Sequence, residues 1–389
     1  MKVVVAVDSF KGSVTSGEAG DAVRLGVLDA DPAATVSVVP IADGGEGTLD
    51  VLVDAHGGQR IAAPGRDALG RPVDGVVGRY VRDGTTVCVV ESARTIGLDL
   101  VAVDRSLPSA ASSDGLGLHL RCALEAGADE VLVTLGGTAS TDGGTGLFRA
   151  LGARFFDAGG DEIVGRENPL WRLASADLGP VARLEGVTVL CDVTNPLLGP
   201  DGATTTFGPQ KGASPDAVRH LEQQMARWAQ IVEGWCGSAV GDEPGAGAAG
   251  GLGAAFLALG SRLTPGFARV ADEVGLPALV AEADLVVTGE GRLDGQTARG
   301  KVTSGVAALA RRDGALVVAL AGQVDVASSA LEGLLDGAFA IHRRPITLSE
   351  AMTTTATTTG LRETAAEVTR LVAASRASSQ RSAARSSPR

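Results

Sequence analysis

The sequence predicts an α/β protein, with a flavodoxin-like parallel sheet of five strands into which a second α/β domain is inserted. Three observations lead there. Val-rich runs alternate with helix-length segments at both ends of the chain, and this alternation breaks between about residues 58 and 270. At 389 residues the chain is also longer than one typical domain, which favours two cores over one.

Residues 2–8 read as a strand, 15–29 as a helix, 35–40 as a strand and 45–56 as a helix, the βαβα start of a parallel sheet. From 58 to 92 short β-rich runs are divided by Gly, Pro and Asp-Gly turns, the pattern of antiparallel hairpins. Alternation resumes with strands at 284–290, 315–322 and 338–343 and helices at 301–312, 326–335 and from 360. The first two strands and these three complete the sheet. The expected division is therefore 1–57 with 271–375 for the flavodoxin-like domain and 58–270 for the insertion. Residues 376–389, rich in Ser, Ala and Arg without hydrophobic periodicity, form a tail unable to repay the entropy of ordering.

Composition narrows the function. Hydrophobic residues make up 44%, charged residues 21% and aromatics only 3%, which argues against disorder and against a stacking surface for nucleic acid. A net charge of -12 repels anions at long range, so an anionic ligand needs local cations, backbone N–H groups or a metal. Cys88, Cys122, Cys191 and Cys236 stand far apart, as reduced core residues do. Strand-like VVVAV begins at residue 3, with no signal peptide before it and no long apolar run after it, so a cytoplasmic protein without a membrane partner is expected.

In an open parallel sheet, ligands sit beyond the carboxyl ends of the strands where strand order reverses. Here that point lies between the first and third core strands. The first runs into Asp8-Ser9-Phe10-Lys11-Gly12-Ser13 and the third into Thr288-Gly289-Glu290-Gly291-Arg292-Leu293-Asp294, so two sequence-distant polar clusters are expected to meet. Their carboxylates suit Mg²⁺ or a hydroxyl proton, and their cations suit phosphate. Capping of the following segment is the competing explanation for Asp8 and Asp294. The second strand contributes Asp43 at the same edge. Only four lysines occur among the 34 cationic residues, and Lys11, Lys211 and Lys301 each touch a glycine, where an ammonium could approach phosphate beside exposed amides. Residues 295–303 fall short of a P-loop because Val302, not Ser or Thr, follows Lys301.

The insertion carries its own polar loops. Gly136-Gly137-Thr138-Ala139-Ser140-Thr141-Asp142-Gly143-Gly144 follows the strand VLVTL, the strand–loop–helix context of an anion cradle. Asp192 ends the strand VTVL, and Asn195 beside it is one of two asparagines. Gly245–Gly250 matches GxGxxG, yet no strand precedes it, so Gly247 and Gly250 suit close packing or phosphate approach more than a dinucleotide. No GxSxG occurs, and the four histidines share no context that would support a hydrolase triad.

Taken in order, VDSFKGS, PIADGGEG, GGTASTDGG, CDVTNPL, FGPQKGA, PGAGAAGGLGAA, TGEGRLDGQT and RGKV resemble the bacterial-type glycerate kinase family over roughly residues 1–370. The sequence departs from it at Val7, Thr138 and Thr141, where Pro, Ser and Asn are expected. The resemblance implies two α/β domains with the active site in the cleft between them, in an enzyme of glyoxylate and glycerate metabolism. ATP and Mg²⁺ are the implied cofactors and D-glycerate the small-molecule substrate, phosphorylated at C2 in preference to C3. Lys11, Lys211, Lys301 and glycine-loop amides would hold phosphates, with Asp8, Ser9, Gly289, Glu290, Gly247 and Gly250 around the nucleotide. Asp294 and Glu290 are the metal candidates. Asp192 or Asp294 would accept the hydroxyl proton. Arg292 would take the carboxylate, and Asp43, Thr138, Ser140, Thr141, Asp142 and Asn195 would complete the acceptor site. The alternatives are a nicotinamide-dependent hydroxy-acid dehydrogenase and a non-catalytic metabolite sensor. Monomer and homodimer are both compatible with the sequence.

Overall fold

The computed structural model describes residues 1–386 apart from 105, 166, 296–301 and 328–330, with side chains described to residue 378. The chain divides into two compact units: Met1–Asp43 with Val270–Arg389, and Gly44–Arg269.

The first unit is built on five parallel strands, Lys2–Val7, Thr35–Val38, Leu285–Leu293, Leu316–Val324 and Gly337–Ala340, in the order fifth, fourth, third, first, second. This is the flavodoxin-like order. Val5 pairs with Val287 and with Val38, and Val287 with Val318. Both faces of the sheet are covered, which is why the first strand is an unbroken apolar run, Val3 to Val7, instead of an alternating one. The helix Ser16–Ala30 starts with a capping box, Thr15 accepting from Glu18 N while the Glu18 carboxylate accepts from Thr15 N. Its Val23 and Val27 pack with Leu361, Ala365 and Val368 of the last helix. The crossing is tight: a Cβ on Gly26 would lie 2.0 Å from Arg362 O.

The structure departs from the sequence expectation in three places. The last helix runs Thr354–Ser386, so the stretch from 376 continues a helix, held at its start by an Arg376–Asp284 ion pair of 2.8 Å; Ala and Arg are strong helix formers that extend a helix already anchored upstream. The segment predicted as a helix over 326–335 contains turn at residues 331–334. The helix Thr48–Ala55, expected in the flavodoxin-like domain, belongs to the second unit, because Gly44 and Gly47 at φ 89° and 84° redirect the chain and Leu49 and Val53 pack on Gly78.

The second unit holds a six-stranded mixed sheet, ordered Arg262–Thr264, Val187–Leu190, Glu130–Thr134, Thr85–Glu91, Val76–Arg82, Gln59–Ala62. The first four of these run parallel and the last two are antiparallel additions. Asp83-Gly84, both at positive φ, makes the predicted hairpin turn. The core gathers Phe148, Phe155 and Trp228 edge to face beneath Val77, Val131 and Val189. All four cysteines are free thiols. Among the described residues no helix is long and apolar enough to cross a membrane.

Candidate active site

In the first unit a cavity of about 770 Å³ opens at the carboxyl ends of the strands. Asp8 follows the first strand, and its N–H donates to Gly289 O at 2.8 Å, which ties the ends of the first and third strands together. Ser16 Oγ donates to Val7 O at 2.7 Å and accepts from Ile41 N at 2.9 Å, drawing in the end of the second. Asp8, Ser9, Lys11, Asp43, Glu290, Arg292 and Asp294 therefore line one cavity, the juxtaposition expected at the point of strand reversal. Desolvation, followed by repulsion from Asp43 and Glu290, pushes the Asp8 carboxyl up to about 7 against the pull of the Ser9 amide and Lys11. Arg292 pairs with Asp325, and its Nε lies 3.9 Å from Asp294. Gly289 faces the fourth strand, where a Cβ would meet Leu320 O at 2.0 Å; close strand packing accounts for that glycine. Lys301 lies outside the described residues.

Much of the rest of the lining was not singled out as site residues, including Phe10, Gly322, Gln323, Ile341, His342, Arg344, Ile346, Leu348 and Met352. Gln323 was within reach, since it sits on the fourth strand. Gly322 lies on the same strand and Phe10 follows the first; the others follow the fifth strand, in a stretch without periodicity.

The second unit carries a separate polar cluster at the loop after Glu130–Thr134. Lys211 is 3% exposed, and its Nζ donates to Ser140 O at 2.6 Å and Thr138 Oγ1 at 3.3 Å. Burial lowers this ammonium to about 8, with Asp142 opposing the shift. Asp142 is fully buried and accepts from Ser113 N and Oγ at 2.8 Å, Gly146 N at 3.0 Å and Gly144 N at 3.2 Å. Both its oxygens are engaged, so it braces the loop. Ser140 Oγ and Thr141 Oγ1 are buried with no partner among the described residues. Asp192 accepts from Gly266 N at 2.7 Å, and Asn195 Nδ2 donates to Asp201 O at 2.7 Å. Gly247 N donates to Asn195 O at 2.9 Å, and a Cβ there would lie 2.2 Å from Pro196 O. Gly250, at φ 72°, would bring a Cβ within 2.3 Å of Ser140 O. These two glycines let a kinked helix approach both polar loops.

Glu91 was not foreseen: 1% exposed, it accepts from Gly47 N at 3.1 Å and Leu49 N at 3.0 Å at the start of Thr48–Ala55. It holds that helix start, where a negative charge is favoured.

Residues 3–373 match the Glycerate kinase family. The chain belongs to that family. The family is one of phosphotransferases, and the relatives agree along nearly their full length. A glycerate kinase from Bacillus subtilis (strain 168) is 42% identical over 90% of this chain and 93% of its own. A glycerate 2-kinase from Escherichia coli (strain K12) is 38% identical over the same shares. A crystal structure described as that of a glycerate kinase 2 from Salmonella typhimurium LT2 superposes with a TM-score of 0.79 at 36% identity, covering 97% of this chain and 99% of that one.

Proposed function

We infer that this protein transfers the γ-phosphoryl group of ATP to the 2-hydroxyl of D-glycerate, giving 2-phosphoglycerate. The observation that carries the reading is the first unit's cavity, where Lys11 and Arg292 stand among four carboxylates at the point of strand reversal; the full-length similarity to glycerate kinases supports the acceptor, and the Escherichia coli relative supports C2.

Phosphoryl transfer needs positioning and charge neutralisation more than covalent help. Lys11, with Lys301, is proposed to hold phosphate, and Arg292 to take the glycerate carboxylate through two parallel bonds. The donor set suits Mg²⁺, which takes oxygen ligands and needs one or two carboxylates plus phosphate oxygens. Among the described residues no three His, Cys, Asp or Glu side chains gather into a cage, and Glu290 and Asp294 would hold the ion. When bound, Mg²⁺ neutralises charge on the transferring phosphates. The gathering of Asp8, Asp43 and Glu290 at one cavity, where their carboxylates repel one another, supports the fit. Thr138, Ser140, Thr141 and Asn195 are proposed to bind glycerate, with Asp192 accepting its hydroxyl proton while Gly266 N fixes the carboxylate.

A dinucleotide site draws no support, because Gly250 and Gly251 sit at positive φ inside the kinked helix Ala248–Ala258 and pack on protein backbone. Phosphorus NMR of the product from D-glycerate, ATP and Mg²⁺ tests reaction and position together. A 3-phosphoglycerate signal overturns the C2 assignment, and no glycerate-dependent ATP consumption overturns the reaction.

A further inference from the structure

The cavity of the first unit has a second half that phosphate chemistry leaves unexplained. Besides the charged cluster the lining carries large apolar side chains, Phe10, Ile341, Ile346, Leu348 and Met352, interleaved with His342 and with Arg344, which pairs with Glu350. Phe10 and Ile341 are buried, but Leu348 is 78% and Met352 40% exposed, an unusual state for two large apolar side chains one helical turn apart. The feature is held in place. Thr347 caps the short helix Leu348–Ala351 by accepting from Glu350 N. Thr354 Oγ1 donates to Ser13 O at 3.0 Å, and Ser13 Oγ and Thr357 Oγ1 lie 2.6 Å apart. Those bonds pin the segment to the loop that carries Lys11, and a Cβ on Gly12 would come within 2.8 Å of Met352 Cε. The apolar surface thus begins beside the phosphate-side lysine.

At about 770 Å³ the cavity falls in the range of sites for drug-sized ligands, roughly 300–1,000 Å³, far more than a three-carbon acid fills. It also spans the ends of the first, third, fourth and fifth strands. Three strand spacings set a breadth of roughly 14 Å, so a ligand with a charged end and a flat apolar end fits it.

Resting on the reading of the protein as an ATP-dependent kinase, we propose that Ile346, Leu348 and Met352 form the nucleobase subsite, with the phosphate chain running back toward Lys11. The base is held by apolar contact against Met352 and Leu348, whose exposure in the free protein is the surface that the base covers. Polarisable Met suits a flat aromatic ring.

The test uses Leu348→Gln and Met352→Gln, exposed and uncharged changes that leave the core and the phosphate-side charges alone. Calorimetry measures ATP and ADP binding and competition by inorganic tripolyphosphate; steady-state kinetics measures the KM for each substrate. ATP and ADP should bind about tenfold more weakly to the double variant, with tripolyphosphate and the KM for glycerate unchanged. Equal weakening of tripolyphosphate overturns the subsite, as does a rise in the glycerate KM alone or unchanged ATP affinity. The two readings fail separately: a wild-type protein that binds ATP through this wing but leaves glycerate untouched refutes the acceptor assignment, and one that phosphorylates glycerate with both substitutions silent refutes the subsite.

Discussion

Lys211 Nζ lies 2.6 Å from the carbonyl oxygen of Ser140, deep in the second unit, so its ammonium is spent on holding a loop. Lys211→Met should lower kcat/KM for glycerate by more than about tenfold through the lost charge-assisted bonds, while the KM for ATP changes little. Linkage gives a second readout. The folded pKa of about 8 lies below the ordinary lysine value of 10.5, so between those two pH values the unfolded chain binds the extra proton and stability rises with pH. Urea denaturation of wild type and Lys211→Met at pH 7.5 and 10 should show that rise in wild type and a smaller one in the variant.

Asp8 works in the opposite sense. Its folded carboxyl titrates near 7, above the ordinary 3.8, so the folded protein keeps a proton that the unfolded chain has lost and stability falls as pH climbs through that window. Asp8→Asn should raise the melting temperature by a few degrees at pH 8 and by little at pH 4. Mg²⁺ should stabilise wild type more than the variant. An equal effect at both pH values contradicts the raised Asp8 carboxyl, which desolvation and then repulsion from Asp43 and Glu290 produce.

Asp192→Asn and Asp294→Asn separate chemistry from affinity. Both should remain folded, since an Asn at 192 keeps an oxygen that can accept from Gly266 N and Asp294 sits at a cavity edge. Asp192→Asn should reduce kcat by at least about a hundredfold with ATP binding intact, and Asp294→Asn should weaken the Mg²⁺ dependence of ATP binding. Near-normal turnover in both variants moves the proton acceptor to Asp43 or Glu290.

Gly250→Ala should destabilise the protein by about 2 kcal/mol or more, because a side chain there combines positive φ with contact on Ser140 O. Gly127→Ala, also at positive φ but with nothing within 4 Å, should cost about 1 kcal/mol. Equal losses in chemical denaturation would discount the close approach.

The gathering of Asp8, Lys11, Asp43, Glu290, Arg292 and Asp294 was legible because parallel strands declare their carboxyl ends through Val runs that stop at polar residues. The bracing role of Asp142 was not legible, because Ser113, which donates to one of its oxygens, comes from 29 residues earlier, a pairing that local pattern does not reveal. The apolar wing escaped for a different reason. Ile346, Leu348 and Met352 fall in a segment whose helix is a single turn, too short for a sustained period, so nothing separates them from loop residues until the fold brings Met352 beside Gly12. The helix Thr48–Ala55 was placed in the wrong unit because helix periodicity says which face is buried and not against what.

The interrupted first unit also has a timetable. Lys2 N reaches Asp284 across 282 residues of chain, so the central strand pair of its sheet cannot form until most of the protein has left the ribosome. Gly44–Arg269 is continuous and can fold first, during synthesis. Its folding would shorten the tether between the two halves of the sheet and lower the entropy of closing so long a loop. The first two strands, KVVVAV and TVSV, made early and left without the third strand meanwhile, are the stretch of this molecule that a chaperone would meet.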